Sequence, residues 1–232
     1  MITLHIDGRE VTVAPGTSIL AAARQLGVTI PVLCHHPRLR PVGVCRLCVV
    51  DVGERVLAPA CARECAPGMA VQTHTPELRD HRRVLLQLLL ADYPEQSQRE
   101  AMGGDDALLA LARELGVDTL PFPDGTGGDT AAPPQPRDDS SPVIAVDPQA
   151  CILCDRCLRA CDEVQHNDVM GRTGKGYTAR IAFDLDRPMG QSHCVSCGEC
   201  LAVCPTSALT NRALHGVRIA PKAVPPKGGG TP

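Results

Sequence analysis

The chain has 232 residues, a formal net charge of −3 and a hydrophobic content of 44%. That is length for two or three small domains, and the charge leaves no basic footprint for nucleic acid. Only two Phe, two Tyr and no Trp stand beside thirteen Cys, so bound metal is expected to supply folding energy that aromatic cores usually provide.

Met1-Ile-Thr-Leu-His-Ile-Asp7 has neither the basic nor the apolar region of a secretory leader. The longest apolar candidate, Val84 to Ala91, is far too short to cross a bilayer. The cysteines are odd in number and gather in C-x2-C groups, which argues against a disulfide-bonded secreted chain. A soluble cytoplasmic protein with reduced, metallated thiols is expected.

Residues 1–75 open with a hairpin. Ile2, Leu4 and Ile6 alternate with polar residues, Asp7-Gly8 turns the chain, and Val11 and Val13 resume the alternation. Thr17 or Ser18 can cap a helix carrying Ile19, Leu20, Ala23 and Leu26, with Gly27 in place to stop it. Then comes Cys34-x10-Cys45-x2-Cys48-x12-Cys61. A C-x2-C pair with a distant fourth cysteine is the plant-type 2Fe–2S arrangement, here with a longer first gap. Structural zinc is the alternative, but it usually uses two C-x2-4-C knuckles and this stretch has one. Cys34, Cys45, Cys48 and Cys61 are the expected ligands of one 2Fe–2S cluster in a β-grasp ferredoxin-like domain. Gly43 and the turn at Arg46 let backbone amides approach the sulfurs. Cys65 is left over, as a bystander thiol near the first cluster, with a spare ligand or redox-active thiol as the alternative. His35 and His36 flank Cys34, and with four cysteines available they are read as polar surface or hydrogen-bond donors.

Residues 76–117 form a helical spacer. Thr75 caps, Pro76 sits at the first position, and Leu78, Val84, Leu85, Leu88 and Leu89 make an apolar stripe. A second helix runs from about Asp106 to Leu115. Residues 118–142 are rich in Pro, Gly and Asp and read as a linker or partner-wrapping strap.

Residues 143–212 carry two near-copies of one motif. Cys151-x2-Cys154-x2-Cys157-x3-Cys161 is followed by Cys194-x2-Cys197-x2-Cys200-x3-Cys204-Pro205. In the bacterial ferredoxin run three cysteines hold one 4Fe–4S cube and the fourth reaches across to the other. Cys151, Cys154, Cys157 and Cys204 are therefore assigned to one cube, and Cys194, Cys197, Cys200 and Cys161 to the second. Every iron is filled by thiolate, which implies electron transfer rather than catalysis. Gly171-Arg-Thr-Gly-Lys-Gly176 lacks the G-x4-G-K-[ST] spacing of a phosphate loop and is read as a turn before a strand from Tyr177 to Phe183. Residues 213–232 read as a flexible tail.

Taken together the motifs resemble a known family. Pro59-Ala-Cys61, Cys151-Ile-Leu-Cys154-Asp-Arg-Cys157, Ala160-Cys-Asp-Glu-Val-Gln165 and Cys194-Val-Ser-Cys-Gly-Glu-Cys200 are similar to the iron–sulfur region shared by four groups of proteins. These are the large iron–sulfur subunit of complex I, the N-terminal part of FeFe-hydrogenases, NAD-dependent formate dehydrogenases, and the diaphorase small subunit of NAD-linked NiFe-hydrogenases. The resemblance covers about residues 2–212. Two complete cube motifs place it nearer the hydrogenase and formate dehydrogenase branch. It also implies a further cube held by one His and three Cys after the leucine-rich helix. Here Tyr93-Pro94 stands in place of His-Pro, and no cysteine lies between Cys65 and Cys151, so that cluster is not expected.

The expected fold is α+β: a β-grasp 2Fe–2S domain, a helical spacer and a two-cube ferredoxin-like domain. With 28 residues after Cys204, no catalytic domain is expected, and no catalytic residues are assigned. The resemblance implies an electron-transfer subunit of a multi-subunit oxidoreductase, relaying single electrons between an NAD(P)H-linked flavoprotein and a hydrogenase or formate dehydrogenase subunit. No nucleic acid, nucleotide or flavin site is expected. A free-standing polyferredoxin shuttle is the alternative, and a structural zinc protein or redox sensor a more distant one.

Overall fold

The structure, a computed structural model, describes residues 1–94, 97–117 and 136–214. Most of the Pro-rich strap (118–135) and of the tail (215–232) lies outside the described residues.

The fold is α+β. β1 (Ile2–Ile6) pairs antiparallel with β2 (Arg9–Val13). Asp7 and Gly8 both take positive φ, 49° and 77°, as the tight two-residue hairpin turn requires. Leu4, Ile6, Val11 and Val13 are buried, so the period-2 alternation is realised with one face inward. β5 (Ala70–Val71) adds parallel to β1, giving the order β2-β1-β5.

α1 (Ile19–Gln25) packs against this sheet through Ile19, Leu20, Ala22 and Ala23. Ser18 rather than Thr17 is the N-cap, its Oγ accepting from the Ala21 amide at 3.2 Å. Such a cap is worth about 1 kcal/mol. β3 (Val49–Val50) and β4 (Ala58–Pro59) form a short antiparallel pair that starts just after Cys48 and ends just before Cys61.

α2 (Pro76–Ala91) starts as its sequence predicts, with the Thr75 Oγ1 accepting from the Leu78 amide at 3.2 Å. Its inward face differs from the expected stripe. Leu78, Arg82 and Leu86 line the buried side, while Val84 and Leu88 are 52% and 51% exposed. The near-continuous apolar run blurs the 3.6-residue period, and the polar residue at the centre of the true face hides it. Arg82 is buried with each guanidinium nitrogen donating to a carbonyl: Leu47 O at 3.2 Å, Val49 O at 2.9 Å and Thr73 O at 3.0 Å. It thus fastens α2 to the strand that follows Cys48.

α3 (Gln98–Ala101) is a single turn, and α4 (Ala107–Glu114) is capped by Asp106, whose Oδ1 accepts from the Leu108 and Leu109 amides. Leu86, Leu108, Ala112 and Val117 share one apolar cluster with Ile144, Phe183 and Leu209.

The C-terminal region is built twice. β6 (Ile144–Val146) leads into the first cysteine motif, α5 (Arg156–Arg159) with a wider turn over Ala160–Val164, and β7 (Met170–Thr173). β8 (Arg180–Phe183) leads into the second motif, α6 (Glu199–Val203) and β9 (Leu209–Asn211). β6 pairs with β9 and β7 with β8, both antiparallel. This exchange closes each half onto the other. The strand expected from Tyr177 is shorter, because Gly176–Thr178 forms a 3-10 turn. No helix among the described residues is long and apolar enough to cross a membrane.

Candidate metal centres

All thirteen cysteines are unpaired. The structure gathers twelve of them into three groups of four.

In the first group Cys34, Cys48 and Cys61 are buried and Cys45 is partly exposed. The sulfurs touch. The Cys45 and Cys61 thiols donate to Cys34 and hold it far below the ordinary thiol range, and Cys61 also donates to Cys48, which falls to about 7. Cys45 and Cys61, as the donors, are pushed up. Backbone amides close in as well: Cys34 N lies 3.4 Å from the Cys45 sulfur, and the Val44 and Leu47 amides point at Cys34 and Cys45. Positive φ at Gly43 (64°) and Arg46 (57°) turns these amides inward, making an anion-binding nest. Arg46 itself is exposed and spends a guanidinium nitrogen on Leu57 O at 3.3 Å.

Cys151, Cys154, Cys157 and Cys204 line a second pocket. Burial pushes Cys151 to about 11, Cys154 to about 12 and Cys157 well above the ordinary range. Amides of Leu153 and Arg156 donate toward Cys151 and Cys154. Cys161, Cys194, Cys197 and Cys200 line a third pocket. Cys200 is pushed to about 12 by burial first and by Cys194 and Cys197 next, while Cys197 is exposed.

The two cysteine loops repeat each other's backbone. Leu153 and Asp155 take φ 51° and 59°, and Ser196 and Gly198, at the corresponding places, take 54° and 81°. Left-handed conformation at a residue with a Cβ costs about 1–2 kcal/mol. Its recurrence at matched positions of both loops marks a shared constraint: amides turned toward sulfur. Ser196 N lies 3.4 Å from the Cys194 sulfur.

The donor chemistry of these pockets fits iron–sulfur clusters. Each collects four soft sulfur donors with inward amides, and burial alone would leave the thiols of the second pocket protonated, whereas metal binding draws the protons off. A further observation agrees. Arg156 Nε and His35 Nδ1 are buried without a hydrogen-bond partner. The electrostatic neighbours of Arg156 are thiols of both adjacent groups, Cys154, Cys34, Cys204 and Cys45, and that is where an anionic cluster would stand. His35 is half-buried with that nitrogen enclosed, and burial lowers its pKa first, with Arg24 and Arg156 adding to it. His36 is half-buried too, its Nδ1 accepting from the Arg38 amide. Cys65 shares the N-terminal core with Cys48 and Cys61, and burial alone raises its pKa.

Several residues around the centres carried no motif. Arg82, Arg159 and the buried set Tyr93, Ser97, Asp106 and Ser207 sit at positions where spacing alone gives no signal. Only Tyr93 was marked, by the histidine it replaces.

Comparison with known proteins agrees with this geometry. Residues 1–76 match the 2Fe-2S iron-sulfur cluster binding domain family. Residues 141–210 match the ferredoxin-like domain of NADH-quinone oxidoreductase subunit 3. The chain is 37% identical over 216 residues to the NADP-reducing hydrogenase subunit HndD of Solidesulfovibrio fructosivorans, covering 90% of this chain and 36% of that protein. It is 31% identical over 213 residues to the mitochondrial NADH-ubiquinone oxidoreductase 78 kDa subunit of Neurospora crassa, covering 91% of this chain and 28% of that protein. The chain thus spans about a third of the length of these curated relatives or somewhat less. A chain in the crystal structure of the NAD+-reducing [NiFe]-hydrogenase in the H2-reduced state superposes with a TM-score of 0.80 at 28% identity, covering 97% of this chain and 90% of that one. The resemblance drawn from the cysteine motifs therefore holds, and the chain carries iron–sulfur cluster-binding and ferredoxin-like domains.

Proposed function

We propose that this chain is an electron-transfer iron–sulfur subunit of a multi-subunit oxidoreductase, relaying single electrons between an NAD(P)H-linked flavoprotein and a catalytic subunit of the hydrogenase or formate dehydrogenase type. The convergence of twelve cysteines into three separate groups of four carries this reading. In it Cys34, Cys45, Cys48 and Cys61 hold a 2Fe–2S cluster. Cys151, Cys154, Cys157 and Cys204 hold one 4Fe–4S cube, and Cys161, Cys194, Cys197 and Cys200 the other. The clusters supply the one-electron chemistry. The chain supplies the sulfur ligands, the inward amides, the burial that tunes potential, and the spacing.

The organisation that goes with it is a β-grasp domain over 1–75, helices over 76–117, a linker over 118–142, a two-cube domain over 143–212 and a tail over 213–232. Free cysteines throughout suit a reducing compartment, the cytoplasm. Likeness to subunits named for NADP-reducing and NAD+-reducing hydrogenases supports the nicotinamide-linked partner. Affinity purification of the native protein, with mass spectrometry of what accompanies it, tests the assignment. A flavoprotein and a hydrogenase or dehydrogenase subunit are expected. Elution as a lone small protein on gel filtration of native extract would favour a free polyferredoxin instead.

A further inference from the structure

The first cysteine group and the Cys151 group come from distant stretches of chain, and guanidinium groups join those stretches. Arg159 is 8% exposed. Its Nη2 donates to Cys34 O at 2.6 Å and lies 3.5 Å from Cys154 O. Its Nη1 donates to Arg40 O, and its Nε to Asp155 O at 3.2 Å. One nitrogen of one buried side chain therefore contacts the carbonyl of a cysteine in each group. Arg156 runs alongside, with Nη2 on His35 O at 2.6 Å and Nη1 on Val203 O at 3.3 Å. Leu39 packs with Ala160 and Val203, and outer ion pairs join Arg38 to Glu199 and Arg40 to Glu163. The segment 34–40 is thereby seated on α5 and α6.

The hydrogen bonds of Arg159 end on backbone carbonyls. A buried cation met only by carbonyl dipoles is costly. Two thiolate-ligated clusters, each carrying net negative charge, would supply the missing countercharge from both sides. The planar fork can serve two loops at once where a lysine ammonium is a single point charge.

We propose that Arg159 is a positioning residue shared by two metal centres: it fixes the seat of the Cys34 loop against the Cys154 loop and lends one charge to both. This rests on the reading that both groups hold iron–sulfur clusters. It follows that the two potentials are not independent, and that one substitution moves them together.

The test uses the full chain with its clusters assembled under anaerobic conditions, as wild type, Arg159→Gln and Arg159→Lys. Iron content, EPR-monitored redox titration and the magnetic interaction between the two reduced centres are read. Arg159→Gln is expected to lower both midpoints. Arg159→Lys is expected to restore both midpoints while the magnetic interaction stays weaker than in wild type, because charge returns and the fork does not. Unmoved midpoints in Arg159→Gln, or a shift confined to one centre, would overturn the proposal. Should Arg159→Gln lose iron, Arg159→Lys decides alone: a wild-type magnetic interaction overturns the shared seat, and a weakened one supports it. Wild-type protein that takes up no iron would overturn the cluster reading itself, a distinguishable result.

Discussion

The phenol of Tyr93 donates to the carboxylate of Asp106 at 2.5 Å, in a pocket closed to solvent. Ser97 and Ser207 hydroxyls meet the same carboxylate oxygen at 2.8 and 3.2 Å, and the Ser207 amide donates back to the phenol at 3.1 Å. Four side chains thus join the end of α2, the cap of α4 and the segment just beyond Cys204. The Ala107 amide reaches Pro205 O at 2.8 Å, and Arg99 reaches Cys204 O. By the family resemblance a cluster ligand stands at this tyrosine's place. In this chain a hydrogen-bonded clasp occupies it and holds the loop of a cysteine from the second group.

Tyr93→Phe removes one donor from a buried carboxylate and one acceptor from the Ser207 amide. Such a deletion costs about 1–3 kcal/mol. Chemical denaturation is expected to show a loss of that size with iron content unchanged. Equal stability of the two proteins would mean that the clasp contributes nothing.

The same pair sets an alkaline limit. Burial first, and the Asp106 bond next, raise the Tyr93 pKa above its ordinary value of 10.0. A group raised in the folded state contributes stability that is complete below the unfolded value and fades as pH climbs past it. Wild-type stability is therefore expected to fall above about pH 10, with a shallower fall in Tyr93→Phe. Parallel profiles would rule the coupling out.

Arg156 is half-buried, with thiols of both neighbouring groups as its charge partners. A cation there favours the more negative, reduced state of an adjacent cluster. Arg156→Gln is expected to lower the midpoint of the Cys151 cube in a redox titration followed by EPR. An unchanged midpoint would return Arg156 to a purely structural role.

Cys65 is buried, yet it belongs to no group of four, and its amide is engaged with Thr17 O at 2.8 Å. Cys65→Ala is expected to keep the full iron complement and all EPR signals. Loss of the 2Fe–2S signal alone would make Cys65 a ligand and displace one of the other four.

The repeating parts of this structure were legible in the sequence. Period-2 alternation placed β1 and β2, and Thr75-Pro76 placed the start of α2. Legibility failed where a polar residue does a buried job. Arg82 lies at the centre of an inward face and breaks its apolar pattern, so Val84 and Leu88 looked inward when they point out. Arg159 carries no motif and is spent on carbonyls from two distant loops. Asp106 and Ser207 are ordinary cap and loop residues until tertiary structure brings them to Tyr93. Partners more than a hundred residues apart leave no local period.

The most direct test of the account is metal analysis with EPR on the anaerobically purified chain. Three clusters held by twelve thiolates predict about ten iron atoms per chain, acid-labile sulfide to match, and separate signals from one 2Fe–2S and two 4Fe–4S centres on reduction. A colourless protein carrying zinc in place of iron would contradict it.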